Sequence, residues 1–141
     1  MARTFSTVVE LQKHMEAACR KAVENACNRL LGRLQEILDE EYYDVFEPER
    51  YKRTMSFWRS ATVKMLDNTC GQVFMNPDVM HYKAGWSGKA QIESAAKGLH
   101  GGWDYEGVSD HKYWEVFIAY CEKNALKILK EELRAQGIPI K

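Results

Sequence analysis

The longest uninterrupted pattern in the sequence lies near its N-terminus, and it limits the fold more than any other feature. Thr7 followed by Glu10 is a capping-box pattern, which predicts that a helix begins here. Apolar residues then recur at steps of three and four, which places them on one face of a helix over residues 7–41. These residues are Val8, Leu11, Met15, Ala18, Ala22, Ala26, Leu30, Leu34 and Ile37 or Leu38. Such a helix is about 50 Å long at 1.5 Å per residue, which is more than a small domain covers by itself.

Two interpretations of this helix remain open. In the first, it is an amphipathic core helix that bends near Gly32. In the second, its free length packs on neighbouring copies of the protein, because an exposed apolar stripe marks an interface. The middle of the helix is lined by small residues, which allow close approach of another helix but bury little area: Ala17, Ala18, Ala22 and Ala26. We favour the second interpretation.

A β-hairpin is predicted over residues 60–76. A three-residue loop at residues 67–69 pairs Leu66 with Cys70 and Val63 with Val73. A register slipped by one residue would move polar side chains into the apolar face. That face carries Ala61, Val63, Met65, Gly71, Val73 and Met75. Because two strands alone are marginally stable, a further strand or a helix must cover them.

Residues 80–109 contain six glycines and two tryptophans, and this composition predicts a long loop. A short helix is predicted inside it between Ser87 and Leu99, ended by Gly98 or by the Gly101-Gly102 pair. The turn at Asn76-Pro77-Asp78 ends the second strand before this region.

A second long helix is predicted over residues 110–136, with Ser109 or Asp110 as its cap. Gly137 is predicted to end it in the left-handed conformation. The tail that follows, residues 138–141, is predicted to add an edge strand beside the hairpin, since Pro139 excludes a central position. The sequence therefore predicts one α+β domain over residues 1–141, in which a long N-terminal helix and a C-terminal helix pack on a small antiparallel sheet built around the central hairpin.

The charge is balanced, with 20 basic and 20 acidic residues, so no global field attracts nucleic acid or an anionic membrane. A local basic segment nevertheless runs from Arg50 to Lys64 with aromatic residues among its charges. Its basic members are Arg50, Lys52, Arg53, Arg59 and Lys64, interleaved with Tyr51, Phe57 and Trp58. Such a segment can contact a nucleic-acid backbone or an acidic partner. It can equally be a loop with solvated charges and core aromatics, and the neutral total favours this second interpretation.

Residues with catalytic or metal-binding chemistry are present but are not grouped in the sequence. The cysteines form no C-x-x-C pair, and the histidines have no ligand spacing, so structural roles are predicted for both. They are Cys19, Cys27, Cys70, Cys121, His14, His81, His100 and His111. No nucleophile-base set and no phosphate loop can be assembled, which predicts no enzymatic activity, no metal and no cofactor. No membrane span or signal peptide is recognised, so the protein is expected in a cytoplasmic compartment.

The order of these parts resembles a known family. The segment Y-Y-D-V-F-E-P-E-R-Y-K-R-T is followed by a hairpin that ends in N-P-D-V-M-H, by a Gly/Trp loop, and by a Lys-rich helix that ends in A-Q-G-I-P-I-K. This arrangement resembles the small structural proteins of the head-to-tail region of tailed bacteriophages and prophages, of the neck and tail-completion type. The most specific parts are residues 51–54 and the closing Gly137-Ile138 step.

The resemblance implies a non-enzymatic structural protein with an α+β fold and no catalytic residues. It implies self-association into a ring at the head-tail junction, with portal, head-completion or tail proteins as neighbours, in the virion and in the host cytoplasm during assembly. The basic Arg50–Lys64 segment is then a candidate for non-specific contact with packaged DNA or with an acidic ring below. The alternative is a small helical module that binds nucleic acid or a regulatory partner through the same segment.

Overall fold

The computed structural model describes residues 4–45, 55–82, 86–100 and 111–141. The predicted class is confirmed, because two long helices accompany a two-stranded antiparallel hairpin. The helices are α1 (Val8–Leu38), α2 (Ser56–Arg59), α3 (Gly88–Ala96) and α4 (Tyr113–Ala135), and the strands are β1 (Ala61–Met65) and β2 (Gly71–Met75). A π-helical turn (Asp39–Tyr43) continues α1, and a 3-10 turn (Pro77–Val79) follows β2.

Helix α1 begins where its capping pattern predicts. The hydroxyl of Thr7 accepts a hydrogen bond from the backbone N–H of Glu10 at 3.1 Å. The Glu10 carboxylate in turn accepts from the backbone N–H and the hydroxyl of Ser6, at 3.1 and 2.8 Å. The bond to Thr7 satisfies a donor that the first turn of a helix leaves without an intrahelical partner, and the bonds from Ser6 fix the residue before the cap.

The end of α1 differs from the prediction of one regular helix to residue 41. Regular α-helix stops at Leu38, and the chain continues as a π-helical turn in which the backbone N–H of Asp44 donates to the carbonyl of Asp39 at 2.8 Å. A π turn holds one more residue than an α turn. Tyr42 and Tyr43, consecutive in the chain, are both buried here.

The hairpin has the predicted register, with Val63 paired with Val73. Its three-residue loop is closed by the backbone N–H of Leu66, which donates to the carbonyl of Cys70 at 2.9 Å. Within the loop the Asp67 carboxylate accepts from the backbone N–H of Thr69 at 2.7 Å, and this bond lowers the pKa of Asp67. The sequence predicted that a further strand or a helix covers the hairpin. The structure shows that a helix does so, since α1 packs on both strands.

Gly71 marks the closest approach of the hairpin to α1. A Cβ atom at this position would lie 2.5 Å from the Cys27 sulfur and 3.2 Å from a Val23 methyl carbon. Gly71→Ala is therefore expected to lower the free energy of unfolding by about 1 kcal/mol, because the neighbouring side chains must shift. Cys27→Ala removes the sulfur, so the double variant is expected to lose less stability than the two single losses added together. Urea unfolding of all four proteins measures this coupling, and strictly additive losses would contradict the contact.

Helix α3 has the ends that its sequence predicts. The Ser87 hydroxyl accepts from the backbone N–H of Ala90 at 3.0 Å. At the other end Gly98 is left-handed (φ 82°), and the backbone N–H of Leu99 donates to the carbonyl of Ser94 at 3.1 Å. This is the bond of a glycine-ended helix. The Gly101-Gly102 alternative lies outside the described residues.

Helix α4 begins later than predicted and ends as predicted. Its N-cap is Lys112, which makes no side-chain capping bond, and the predicted caps Ser109 and Asp110 lie outside the described residues. At its C-terminus Gly137 is left-handed (φ 81°), and the backbone N–H of Ile138 donates to the carbonyl of Leu133 at 3.1 Å.

The prediction that the tail adds a strand is wrong. Residues 138–141 pair with neither β1 nor β2 in the described sheet. The physical reason is local, because the turn at Gly137 is followed by a hydrogen bond from the Arg134 Nε–H to the carbonyl of Ile140 at 3.0 Å. The tail is thus tied to the last turn of α4.

The core lies where α1, the π-helical turn, α2 and the start of α4 meet. Its buried side chains are Leu34, Ile37, Leu38, Tyr42, Tyr43, Phe57, Ala61, Met75, Met80, Ala95, Tyr113 and Phe117. Helices α1 and α4 run antiparallel, because the turn after α1 reaches His111 just before α4, whereas Arg29 reaches Glu131 near the end of α4.

Candidate functional site

The first part of α1 extends beyond the rest of the described structure, and we call residues 8–17 the projecting arm. The tip of the hairpin reaches α1 at Arg20, whose guanidinium donates to the Asn68 side-chain oxygen at 3.4 Å. N-terminal to Ala18, which is buried, every residue of the arm is exposed except His14, which is half-buried beside the Phe5 ring. Ten residues of helix correspond to about 15 Å of projecting length.

The projecting arm is apolar where a solvated helix would be polar. Val8 is 80% exposed, Val9 59% and Leu11 43%, and Met15 is exposed as well. Val8, Leu11 and Met15 follow the same three- and four-residue steps as the buried Ala18 and Ala22, so their stripe continues the face that α1 buries in the core. A contiguous exposed apolar stripe of this kind marks an interaction surface.

The described part of the basic segment contributes its aromatic residues to the interior. Phe57 is buried in the core. Trp58 is half-buried, and its indole N–H donates to the carbonyl of Gln35 at 3.2 Å, while its backbone N–H donates to the Tyr43 hydroxyl at 3.1 Å. These two rings are engaged by the fold, so they do not form a stacking surface for bases.

The predicted basic contact residues are only partly described. Arg59 is exposed at the end of α2. Lys64 is exposed on β1, opposite Gln72. The other three candidates, Arg50, Lys52 and Arg53, lie outside the described residues. The structure therefore brings no cluster of these side chains together in the part that it describes.

A buried polar cluster, which the sequence did not reveal, joins the π-helical turn to α3 and α4. The Gln91 side-chain amide donates to the Tyr42 hydroxyl at 2.6 Å, and the Trp86 indole N–H donates to the Gln91 carbonyl oxygen at 3.0 Å. The Tyr113 hydroxyl is buried without a partner among the described residues, and burial raises its pKa. Only the spacing of Gln91 from the apolar Ala95, one helical turn away, hinted at a buried position.

One cysteine and two histidines, Cys27, His100 and His111, pack against or contact other parts of the described structure, whereas Cys70 and His81 are exposed. Burial raises the pKa of the Cys27 thiol, which favours its neutral form. The His100 ring stacks on Tyr42 at 4.2 Å between centroids, and His111 Nδ1 lies 2.8 Å from a Glu41 carboxylate oxygen. Among residues 4–45, 55–82, 86–100 and 111–141, no three His, Cys, Asp or Glu side chains are grouped to hold a metal ion.

These features define a small α+β protein whose most distinctive described surface is an exposed apolar helical arm. The YomN family model matches residues 7–135, which is most of the sequence. The chain therefore belongs to the YomN family, a Bacillus phage and prophage type of protein family, and the protein is phage-related. No curated protein and no solved structure matches the sequence. Within the described regions no helix is long and apolar enough to cross a membrane.

Proposed function

We propose that this protein is a non-enzymatic structural subunit of a phage head-tail junction or tail-completion assembly, and that it associates with copies of itself into a ring. The observation that supports this most strongly is the projecting arm, whose apolar stripe leaves the core and has no cover in the described monomer. Membership of a phage-type family supports the same context. Portal, head-completion or tail proteins are the proposed neighbours, and the virion and the host cytoplasm are the proposed locations.

The arm is the proposed site of association because burying it is favourable. Transfer of apolar surface from water contributes about 25 cal/mol for each Å² that is covered. The exposed stripe is also rigid, since it is part of the same helix that enters the core, so docking loses little conformational entropy. A subunit with such a surface is completed by a neighbouring copy.

Replacing Leu11 and Met15 by glutamine tests this proposal. Glutamine keeps the helix propensity of the arm but removes its apolar stripe. The wild-type protein is expected to sediment as an oligomer, and the double variant as a single chain of 16.3 kDa. Its self-association constant is expected to fall by about a hundredfold, because central apolar anchors dominate an interface.

The matched control is Leu66→Gln, which makes the same chemical change at an exposed leucine near the hairpin tip. It is expected to leave the sedimentation behaviour unchanged. Far-ultraviolet circular dichroism checks that all variants keep their helices. A wild-type protein that remains monomeric at high concentration would contradict the proposed assembly role.

A further inference from the structure

We propose that copies of this chain meet through two oppositely charged surfaces, one at each end of the α1–α4 pair. This inference rests on the proposed self-association and specifies which surface of one copy meets which surface of the next. One surface is the acidic turn, which we define as Glu36, Asp39, Glu40, Glu41 and Asp44. The other is the basic stripe, which we define as Lys123, Lys127, Lys130 and Arg134.

Among the described residues, the acidic turn has more carboxylates than it has ion-pair partners. Residues 34–49 contain no lysine or arginine. Arg33 forms ion pairs with Glu36 at 2.9 Å and with Glu40 at 3.3 Å, so one guanidinium serves two carboxylates. Asp39 and Asp44 form no ion pair among the described residues. With His111 beside Glu41, three of the five carboxylates have an ion-pair partner among the described residues, and two do not.

The basic stripe follows one face of the second half of α4. Its four residues recur at steps of four, three and four, so they lie in a row about 17 Å long. Two acidic residues beside the stripe are engaged by α1, because Arg29 forms ion pairs with Glu131 at 2.9 Å and with Glu132 at 3.2 Å. A third, Glu122, directly precedes Lys123 in the chain. No lysine of the stripe forms an ion pair in the part of the chain that the structure describes.

The two surfaces lie at opposite ends of the molecule. The 2.8 Å contact between Glu41 and His111 places the end of the acidic turn at the start of α4, whereas the stripe begins ten residues further along that helix. The separation from the start of α4 is roughly 15 to 32 Å at 1.5 Å per residue. The Debye length is only about 8 Å at physiological ionic strength, so the far end of the stripe is screened from the turn within one chain. Glu36 is nearer to the stripe, because its partner Arg33 lies over the Tyr120 ring.

A second copy of the chain is the partner that fits both surfaces at once. The total charge is zero, so copies do not repel one another globally, yet each carries a complementary pair of local charges. The projecting arm lies at the same end as the basic stripe, because α1 continues past the C-terminal end of α4. The acidic end offers apolar side chains for the arm, since Val116 and Ile118 of α4 are exposed there.

Charged and apolar surfaces contribute differently to this contact. Buried apolar area supplies most of the affinity, whereas complementary charge determines which ends meet. When the stripe of one copy contacts the turn of the next, each pair leaves one stripe and one turn open. Copies therefore add head to tail until a ring closes.

Charge reversal with mixing tests this arrangement. The stripe variant is Lys123→Glu with Lys127→Glu, and the turn variant is Glu40→Lys with Asp44→Lys, all at exposed positions. Each variant alone places like charges at the contact, so its self-association is expected to weaken by about tenfold or more. An equimolar mixture is expected to restore assembly when the two variants alternate, because a reversed stripe then meets a reversed turn of opposite sign and an unmodified stripe meets an unmodified turn. A chain with all four substitutions is expected to associate like wild type.

The matched control is Lys64→Glu with Lys89→Glu, which changes the net charge by the same amount at exposed positions outside both surfaces. It is expected to sediment like wild type. Circular dichroism confirms folding, and restored assembly of the mixture shows that neither variant is misfolded. The sedimentation of the charge variants is compared with that of the Leu11→Gln, Met15→Gln variant, so that loss of the charged contact is distinguished from loss of the apolar contact.

Five results would overturn the inference. If the charge variants assemble normally while the arm variant does not, the charged contact is wrong and the assembly proposal stands. A wild-type protein that is monomeric refutes both the charged contact and the assembly proposal. A mixture that stays dissociated, or a closed dimer as the end state, excludes the head-to-tail contact. A monomer that binds duplex DNA, with the affinity lost in the stripe variant, assigns the stripe to nucleic acid instead.

Discussion

Replacing Leu34 by alanine is expected to lower the free energy of unfolding by about 2 to 5 kcal/mol. Leu34 is fully buried in the middle of the core, where α1 packs against α4 and the π-helical turn. Truncation removes the transfer free energy of the lost carbon atoms and leaves a cavity that the surrounding rings cannot fill. The loss is a large fraction of the stability of an ordinary domain.

The control for Leu34 is Leu126, which is 66% exposed on α4. Leu126→Ala makes the same chemical change in the same type of secondary structure, and it is expected to alter the free energy of unfolding by less than about 0.5 kcal/mol. Urea unfolding at low protein concentration measures both, so that self-association does not contribute. Equal losses in the two variants would mean that the core does not lie where α1 meets α4.

The features that the sequence predicts correctly depend on residues within a few positions of one another. The Thr7 cap needs only Glu10, the hairpin register needs alternating side chains around residues 67–69, and the left-handed Gly137 needs the end of a helical pattern. Each is a local interaction whose geometry is the same in every protein. Sequence patterns therefore predict these features well.

The features that the sequence predicts wrongly or misses depend on distant contacts. The π-helical turn accompanies the burial of two consecutive tyrosines against Phe57, which lies fourteen residues from Tyr43. The tail is the exception, because the bond that holds it joins Arg134 to Ile140, only six residues away. No periodicity in the chain encodes such pairings.

The candidate site shows the same division. The apolar stripe of α1 was visible in the sequence, but its exposed part was not, because the same three- and four-residue steps run through the projecting arm and the core. The exposed part of α1 differs from its buried part only because the hairpin tip and the end of α4 do not extend along the helix as far as residues 8–17. The charge asymmetry required the antiparallel pairing of α1 with α4, which places the acidic turn and the basic stripe at opposite ends.

Gly88→Ala is expected to lower the free energy of unfolding by about 3 kcal/mol, because the first turn of α3 lies directly against the 3-10 turn. A Cβ atom at Gly88 would collide with the carbonyl oxygen of Pro77 and would lie 3.1 Å from the Cβ of Met80. The colliding atom belongs to the backbone, so no side-chain rotation relieves it, in contrast to the sulfur that Gly71 meets. The expected loss is therefore larger than that for Gly71→Ala.

Gly32→Ala is the matched control, and it is expected to change stability in the opposite direction. Gly32 lies in the interior of α1, and apart from the helix's own backbone and its two chain neighbours no described atom lies within 4 Å of the position that a Cβ would occupy. Alanine there reduces the conformational freedom of the unfolded chain and favours the helix, so a gain of about 0.5 to 1 kcal/mol is expected. Urea unfolding measures both variants. A midpoint below the wild-type value for Gly88→Ala and above it for Gly32→Ala would support the close packing of α3 on the 3-10 turn. A Gly88→Ala protein as stable as the wild type would show that these elements are not in contact.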